Sequence, residues 1–204
     1  MACPIGSFSI LSIILRIFEA KVIKLAWSLN QLFSIIICIF KNKSQLQEEI
    51  DRLKVKAQTD KKANKRLFIK LKKMKGTILD QKFHSLHEET FRDINCMECA
   101  NCCKTSSPIF IQKDLDRIAK HLNMKTHSFY DKYLMRDEEF DIVLQKTPCE
   151  FLTINNTCSI YDVRPRACKE YPHTNRKKMN QILSLTIKNI EICPAVSRIV
   201  DKMK

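Results

Sequence analysis

Glycine is almost missing from this 204-residue chain. There are two, Gly6 and Gly76, beside six prolines and a single tryptophan, Trp27. Turns that need a left-handed backbone must therefore fall on Asn, Asp or Ser, and helix should dominate. No glycine-rich loop is present to cradle a phosphate, no His-Glu-x-x-His sets a metal pair on a helix, and no Gly-x-Ser-x-Gly elbow presents a nucleophile. One Trp and scattered aromatics make no stacking platform for RNA. No uncharged run reaches the roughly 20 residues that a spanning helix needs. Internal repeats are absent as well.

Charge of both signs is plentiful but uneven: 36 Lys+Arg stand against 22 Asp+Glu, a formal net charge of +14. Residues 41–75 alone carry 13 basic and 4 acidic residues. Such a block reads first as a solvated, Lys-rich helix. Its alternative is contact with nucleic acid or an anionic surface. Apolar residues make up 45% of the chain, enough for a modest core.

The first 45 residues differ from the rest. Residues 5–15 are apolar up to Arg16. A second run, Leu25–Phe40, has 16 uncharged residues but includes Asn30 and Gln31. Trp27 with Lys24, Lys41 and Lys43 around it would suit a membrane-interface anchor. Composition then changes abruptly near Ser44, and Leu46 opens a regular helical pattern. A bacterial TTG start codon reads internally as Leu, so translation starting near Leu46 is the competing expectation. An intact mass that includes residues 1–45 would overturn it.

From Leu46 to residue 73 the stripe Leu46, Ile50, Leu53, Val55, Ala57, Ala63, Leu67 and Ile69 predicts one long helix. Gly76 should break it, and a second helix should cover residues 78–94. His84 and His87 lie at i, i+3 on that helix, where structural roles are more common than ligation. Residues 108–111 should be extended, and helices should follow over 113–122 and 126–134, with Thr126 as a capping candidate. Phe140–Leu144 reads as a strand. Cys149–Leu152 and Cys158–Tyr161 read as a hairpin about Asn155-Asn156. Pro165 should open a short helix carrying Cys168. Residues 177–189 should be helical, and Pro194 should open the last helix.

What the chain has in excess is cysteine, ten in all. Cys3 and Cys38 lie in the apolar N-terminal region. The other eight are Cys96, Cys99, Cys102, Cys103, Cys149, Cys158, Cys168 and Cys193. Four thiols within eight residues sit too close to cross-link distant parts of a fold, and the vicinal pair Cys102–Cys103 is poor disulfide geometry. A reducing compartment and metal-binding thiolates are the better reading. The run Cys96-Met-Glu-Cys99-Ala-Asn-Cys102-Cys103 contains the C-x2-C-x2-C of bacterial ferredoxins, which also use a remote Cys-Pro, here Cys193-Pro194. Cys103 departs from that pattern, standing where a ferredoxin would wait three residues. Zinc competes: four thiolates close a tetrahedral site, but zinc ribbons usually bring two separate C-x2-C knuckles, and one is found here. Arg164, Arg166 and Lys169 flank Cys168 and would offset thiolate charge. His173, after Tyr171-Pro172, is a further candidate to ligate or to donate to sulfur.

These motifs in order, namely Cys96-x2-Cys99-Ala-Asn-Cys102-Cys103-Lys104, Pro148-Cys149-x-Phe151-Leu152, Asn156-x-Cys158-Ser-Ile-Tyr161, Arg164-Pro165-x-Ala167-Cys168 with Tyr171-Pro172-His173, and Cys193-Pro194, resemble the CxxCxxCC cysteine-cluster family, also called the YkgJ family. The resemblance covers about residues 46–200 and is most specific over 94–195. It implies zinc or iron chelation, sometimes an iron–sulfur cluster, with no assigned reaction for most members. Flagellin lysine methylases carry a similar cysteine cluster. The apolar region 1–45 lies outside the pattern, and Ile111 stands where the family would place a Ser or Thr cap.

The expectations are therefore as follows. The fold is α+β and mainly helical: a small, cysteine-rich, metal-organised domain over 95–200, preceded by a basic helical region over 46–94 and the apolar segment 1–45. The eight thiols ligate an iron–sulfur cluster or zinc or iron, with Arg164, Arg166 and His173 around them. An iron–sulfur enzyme, of redox or methylase-like type, and a metal-stabilised nucleic-acid or partner-binding module are the alternatives. The location is cytoplasmic, or membrane-associated through residues 1–45.

Overall fold

Residues 45–204 are described by a computed structural model and form one compact unit. The expectations about residues 1–44 lie outside the described residues.

Helix α1 (Gln45–Thr59) and α2 (Lys61–Lys72) replace the single helix expected over 46–73. The two are jointed at Asp60 rather than interrupted. Asp60 N donates to Lys56 O at 2.9 Å and Asn64 N donates to Asp60 O at 2.8 Å, so the helical bonding pattern runs through. The buried face is Leu53, Ala57, Asn64, Leu67, Phe68 and Leu71. Val55 and Ile69, which belonged to the expected stripe, point outward. α3 runs Gly76–Thr90. Gly76 is thus its first residue, and the break falls on the three residues before it.

Late in the chain, α9 (Leu183–Asn189) and α10 (Pro194–Lys202) return to pack on these helices. Pro194 occupies the first turn of α10, where its missing N–H costs nothing. Leu79 and Phe83 of α3, Met179, and Val196, Ile199 and Val200 of α10 are fully buried together. Arg198 of α10 clamps Glu49 of α1 through bonds of 2.6–3.1 Å. Lys56 reaches Asp201 at 2.6 Å. The expected helix over 177–189 is shorter: a 3₁₀ turn at Met179–Gln181 precedes α9.

A second apolar cluster lies in the middle of the chain. α6 (Gln112–His121) and α7 (Thr126–Tyr133) lead into a two-stranded antiparallel sheet, β1 (Leu134–Arg136) and β2 (Ile142–Leu144). Leu134 faces Leu144, and Arg136 faces Ile142. Phe129 is at the centre of this cluster, among Phe110, Leu115, Ile118, Phe151 and Ile160. Thr126 does not cap α7; its hydroxyl donates to Asp116 at 3.0 Å. Ile111 precedes α6 without a side-chain cap, and Asp114 accepts the Ile111 N–H instead.

The fold is mainly helical, with one small sheet among the described residues. Two apolar clusters support it. The left-handed turns fall on Asn123 and Asn156, as the shortage of glycine implies, but also on Ala100, Phe140, His173 and Lys178.

The membrane expectation is corrected. No helix among the described residues is long and apolar enough to cross a membrane. The expected membrane association gains no spanning helix from the described residues, and no described feature bears on a cytoplasmic location.

Candidate metal centre

Asn95 opens the cysteine region. Its side chain accepts the Met97 N–H at 3.0 Å and starts the single turn α4 (Cys96–Cys99). Capping of this kind satisfies one of the bare N–H groups of a helix start. Ala100 then takes a left-handed conformation, φ 46°, and the chain re-enters helix as α5 (Asn101–Thr105). This reversal lets two consecutive short turns carry Cys96, Cys99, Cys102 and Cys103.

Two of the remaining cysteine segments are bonded to that one. The Asn101 amide, almost fully buried, donates to Ile192 O at 2.6 Å and so seats Cys193 beside α5. Cys149 N donates to Cys103 O at 2.8 Å. Cys158 pairs with Leu152 across an isolated antiparallel bridge, close to Cys149. Cys168 sits on α8 (Arg166–Glu170). All eight cysteines are free thiols. The Sγ atoms of Cys102 and Cys103 are 4.0 Å apart. Among the described residues, no group of three or more His, Cys, Asp or Glu side chains lies close enough together to hold a metal ion as placed.

The thiols nonetheless feel one another. Burial pushes Cys149 up to about 11 and both Cys168 and Cys193 up to about 12. Cys102 is raised, first by its bond with Cys103 and then by burial. Cys103 is lowered, first by its sulfur contact with Cys102. After burial, Cys168 is raised by Cys103, Cys149 and Cys158, whereas Cys193 is raised by Cys96 and Cys99.

Of the surrounding candidates, Arg164 lies where its charge favours the thiolates of Cys96, Cys158 and Cys168. Its guanidinium stacks 3.7 Å from the Tyr161 ring centroid. Arg166 turns instead to Glu170 at 2.6 Å. His173 is half-buried, which lowers its pKa, and its ring meets that of Tyr171 edge-on. His84 and His87 are taken up by Arg176 O and the Thr174 hydroxyl.

Two residues were not legible as site residues. Lys104 favours the thiolates of Cys99 and Cys103 by its charge. Tyr171 buries its hydroxyl without a hydrogen-bond partner, and the thiols that bear on it are Cys193, Cys102, Cys99 and Cys96.

A buried ion pair holds the loop before α8. Asp114 is 1% exposed and accepts from Arg117 Nη2 at 2.6 Å and from Arg166 N at 3.2 Å. Arg117 also donates to Val163 O and Arg164 O. Asp114→Ala should cost about 2–3 kcal/mol in urea denaturation, less than the roughly 3–5 kcal/mol of a fully buried pair because Arg117 keeps access to water. A cost under about 1 kcal/mol would show that the pair does not anchor this loop.

Residues 95–188 match the model of the CxxCxxCC family, described as a putative zinc- or iron-chelating domain. The chain carries a domain similar to the CxxCxxCC family. The match takes in seven of the eight cysteines and stops short of Cys193, whose neighbour Ile192 is bonded to Asn101. No curated protein and no solved structure matches the chain.

Proposed function

We propose that this CxxCxxCC domain chelates metal through Cys96, Cys99, Cys102, Cys103, Cys149, Cys158, Cys168 and Cys193, with an iron–sulfur cluster as the first reading and zinc or iron ions as the second. The observation that supports it is that Cys149 is bonded through its backbone to Cys103, that Ile192, next to Cys193, is bonded to Asn101, and that all eight of these cysteines are free thiols. Buried apolar surroundings are costly for thiolates unless a cation compensates them. The orphaned Tyr171 hydroxyl fits the same reading, since a metal-bound sulfur is an acceptor for such a donor. Arg164 and Lys104 offset part of the negative charge that four thiolates leave on a divalent centre. A bound cluster would supply one-electron chemistry; zinc would supply structural closure.

Anaerobic purification followed by metal and sulfide analysis tests the proposal. A brown protein with a broad visible absorption, iron and acid-labile sulfide supports the cluster. A colourless protein with stoichiometric zinc selects the second reading. Protein that holds neither metal after reconstitution with iron and sulfide, or with zinc, overturns both.

A further inference from the structure

We propose that the exposed face of α2 is a docking surface for duplex DNA, seated in the major groove by phosphate contacts and indifferent to base sequence. This goes beyond metal chelation and does not depend on it.

α2 carries Lys61, Lys62, Lys65, Arg66, Lys70 and Lys72, with Lys73 directly after it, and holds no acidic residue. Its buried residues are Asn64, Leu67, Phe68 and Leu71. All seven cations are exposed. At about 100° and 1.5 Å per residue they fill the half of the helix opposite the buried row, over a length of about 18 Å. Among the described residues, none of the seven side chains has a hydrogen-bond or ion-pair partner. Other cations of this helical region are answered. Lys56 and Lys204 meet Asp60 and Asp201, Arg198 meets Glu49, and Lys202 meets Glu89. On α2 like charges stand four residues apart instead: Lys61 with Lys65, Lys62 with Arg66, and Arg66 with Lys70. Such pairs repel. Core packing holds the helix in place, so the repulsion persists until an anion relieves it.

The arrangement selects the anion. Lys61, Lys65 and Lys72 form one flank, and Arg66 and Lys70 form the other, about 140° around the helix. Ile69, half exposed, lies on the crest between them with Lys62 and Lys73. A helix with its side chains is about 10–12 Å across, and the major groove of B-DNA is about 12 Å wide. The two flanks therefore meet the phosphates of the two strands. Six of the seven cations are Lys, a point charge suited to phosphate rather than to bidentate reading of a base. Duplex RNA has a major groove too deep and narrow for a helix. A single strand would call for aromatic platforms, and the exposed face of α2 has none. A lipid surface would need an apolar face to sink into it, and Leu67, Phe68 and Leu71 are spent on the core.

The test is fluorescence anisotropy of the full chain with a labelled, random-sequence DNA duplex of about 20 base pairs, over about 50–300 mM salt. The logarithm of affinity should fall with the logarithm of salt at a slope of about −4 or steeper. The triple variant Lys65→Gln, Arg66→Gln, Lys70→Gln should make that slope shallower by about 3 and weaken binding at least about 10-fold at the lowest salt. Circular dichroism checks that it folds as the wild type does. A control with the same charge loss on exposed residues elsewhere, Lys113→Gln, Lys120→Gln, Lys125→Gln, should bind as the wild type does. Any of four results overturns the proposal: no binding of the wild type at the lowest salt, equal loss in both variants, equal affinity for a duplex RNA of the same length, or equal affinity for phosphatidylserine vesicles.

Discussion

Withdrawing metal from the loaded protein should melt the cysteine segments while leaving the helical cluster of α2, α3 and α10 folded. The expected readout is hydrogen exchange. Amides of α4, α5, α8 and the Cys149–Cys158 turn should lose protection by orders of magnitude, whereas those around Leu79, Phe83, Ile199 and Val200 should keep most of theirs. The reason lies in lengths. α4, α5 and α8 have only 4 or 5 residues each, far below what a helix needs to stand alone in water. Burial of Phe83 and its neighbours needs no metal. A structural zinc site contributes about 10–16 kcal/mol in small peptides, so its loss dominates any single substitution in these segments. Identical protection with and without metal would show that the thiols do not organise the fold.

Metal-free protein should also lose stability as pH rises above about 9, and loaded protein should not. Burial raises Cys168 and Cys193 from near 9 to about 12 in the folded chain. A group whose folded pKa lies above its unfolded one binds its proton more tightly when folded. Its stabilising contribution is therefore complete below pH 9 and is lost progressively up to about 12. Each of the two thiols would withdraw on the order of 4 kcal/mol at full titration. That is comparable with much of the stability of a small domain, so unfolding should set in well before pH 12. Thiols already ionised and bound to metal have no such transition. Urea titrations at pH 7, 9 and 10.5 on stripped and loaded protein measure the contrast. A stripped protein equally stable at pH 7 and 10.5 would show that these thiols are not held neutral by burial.

Much of the candidate site was legible because it is local. The spacing of Cys96, Cys99 and Cys102 depends on a few neighbouring residues, and so does the Pro194 helix start. The hairpin about Asn156 was legible for the same reason, since Asn tolerates its left-handed backbone. What the sequence hid depends on distance along the chain. Nothing in the spacing says that Cys193 sits beside Cys102, because the Asn101–Ile192 contact joins residues 91 apart. Arg166 looked like a cation for Cys168, yet Glu170 one helical turn on takes its guanidinium. Ala100, His173 and Lys178 adopt left-handed turns that residue type alone would not suggest, so tertiary packing overrides local preference there. The stripe that joined Val55 and Ile69 to the core failed because a loose apolar pattern does not fix which face is buried.

The Asn101–Ile192 bond also imposes an order on how the chain matures at the ribosome. Asn101 is synthesised 91 residues before its partner, so the α4–α5 segment stays untied to the start of α10 until the chain is nearly finished.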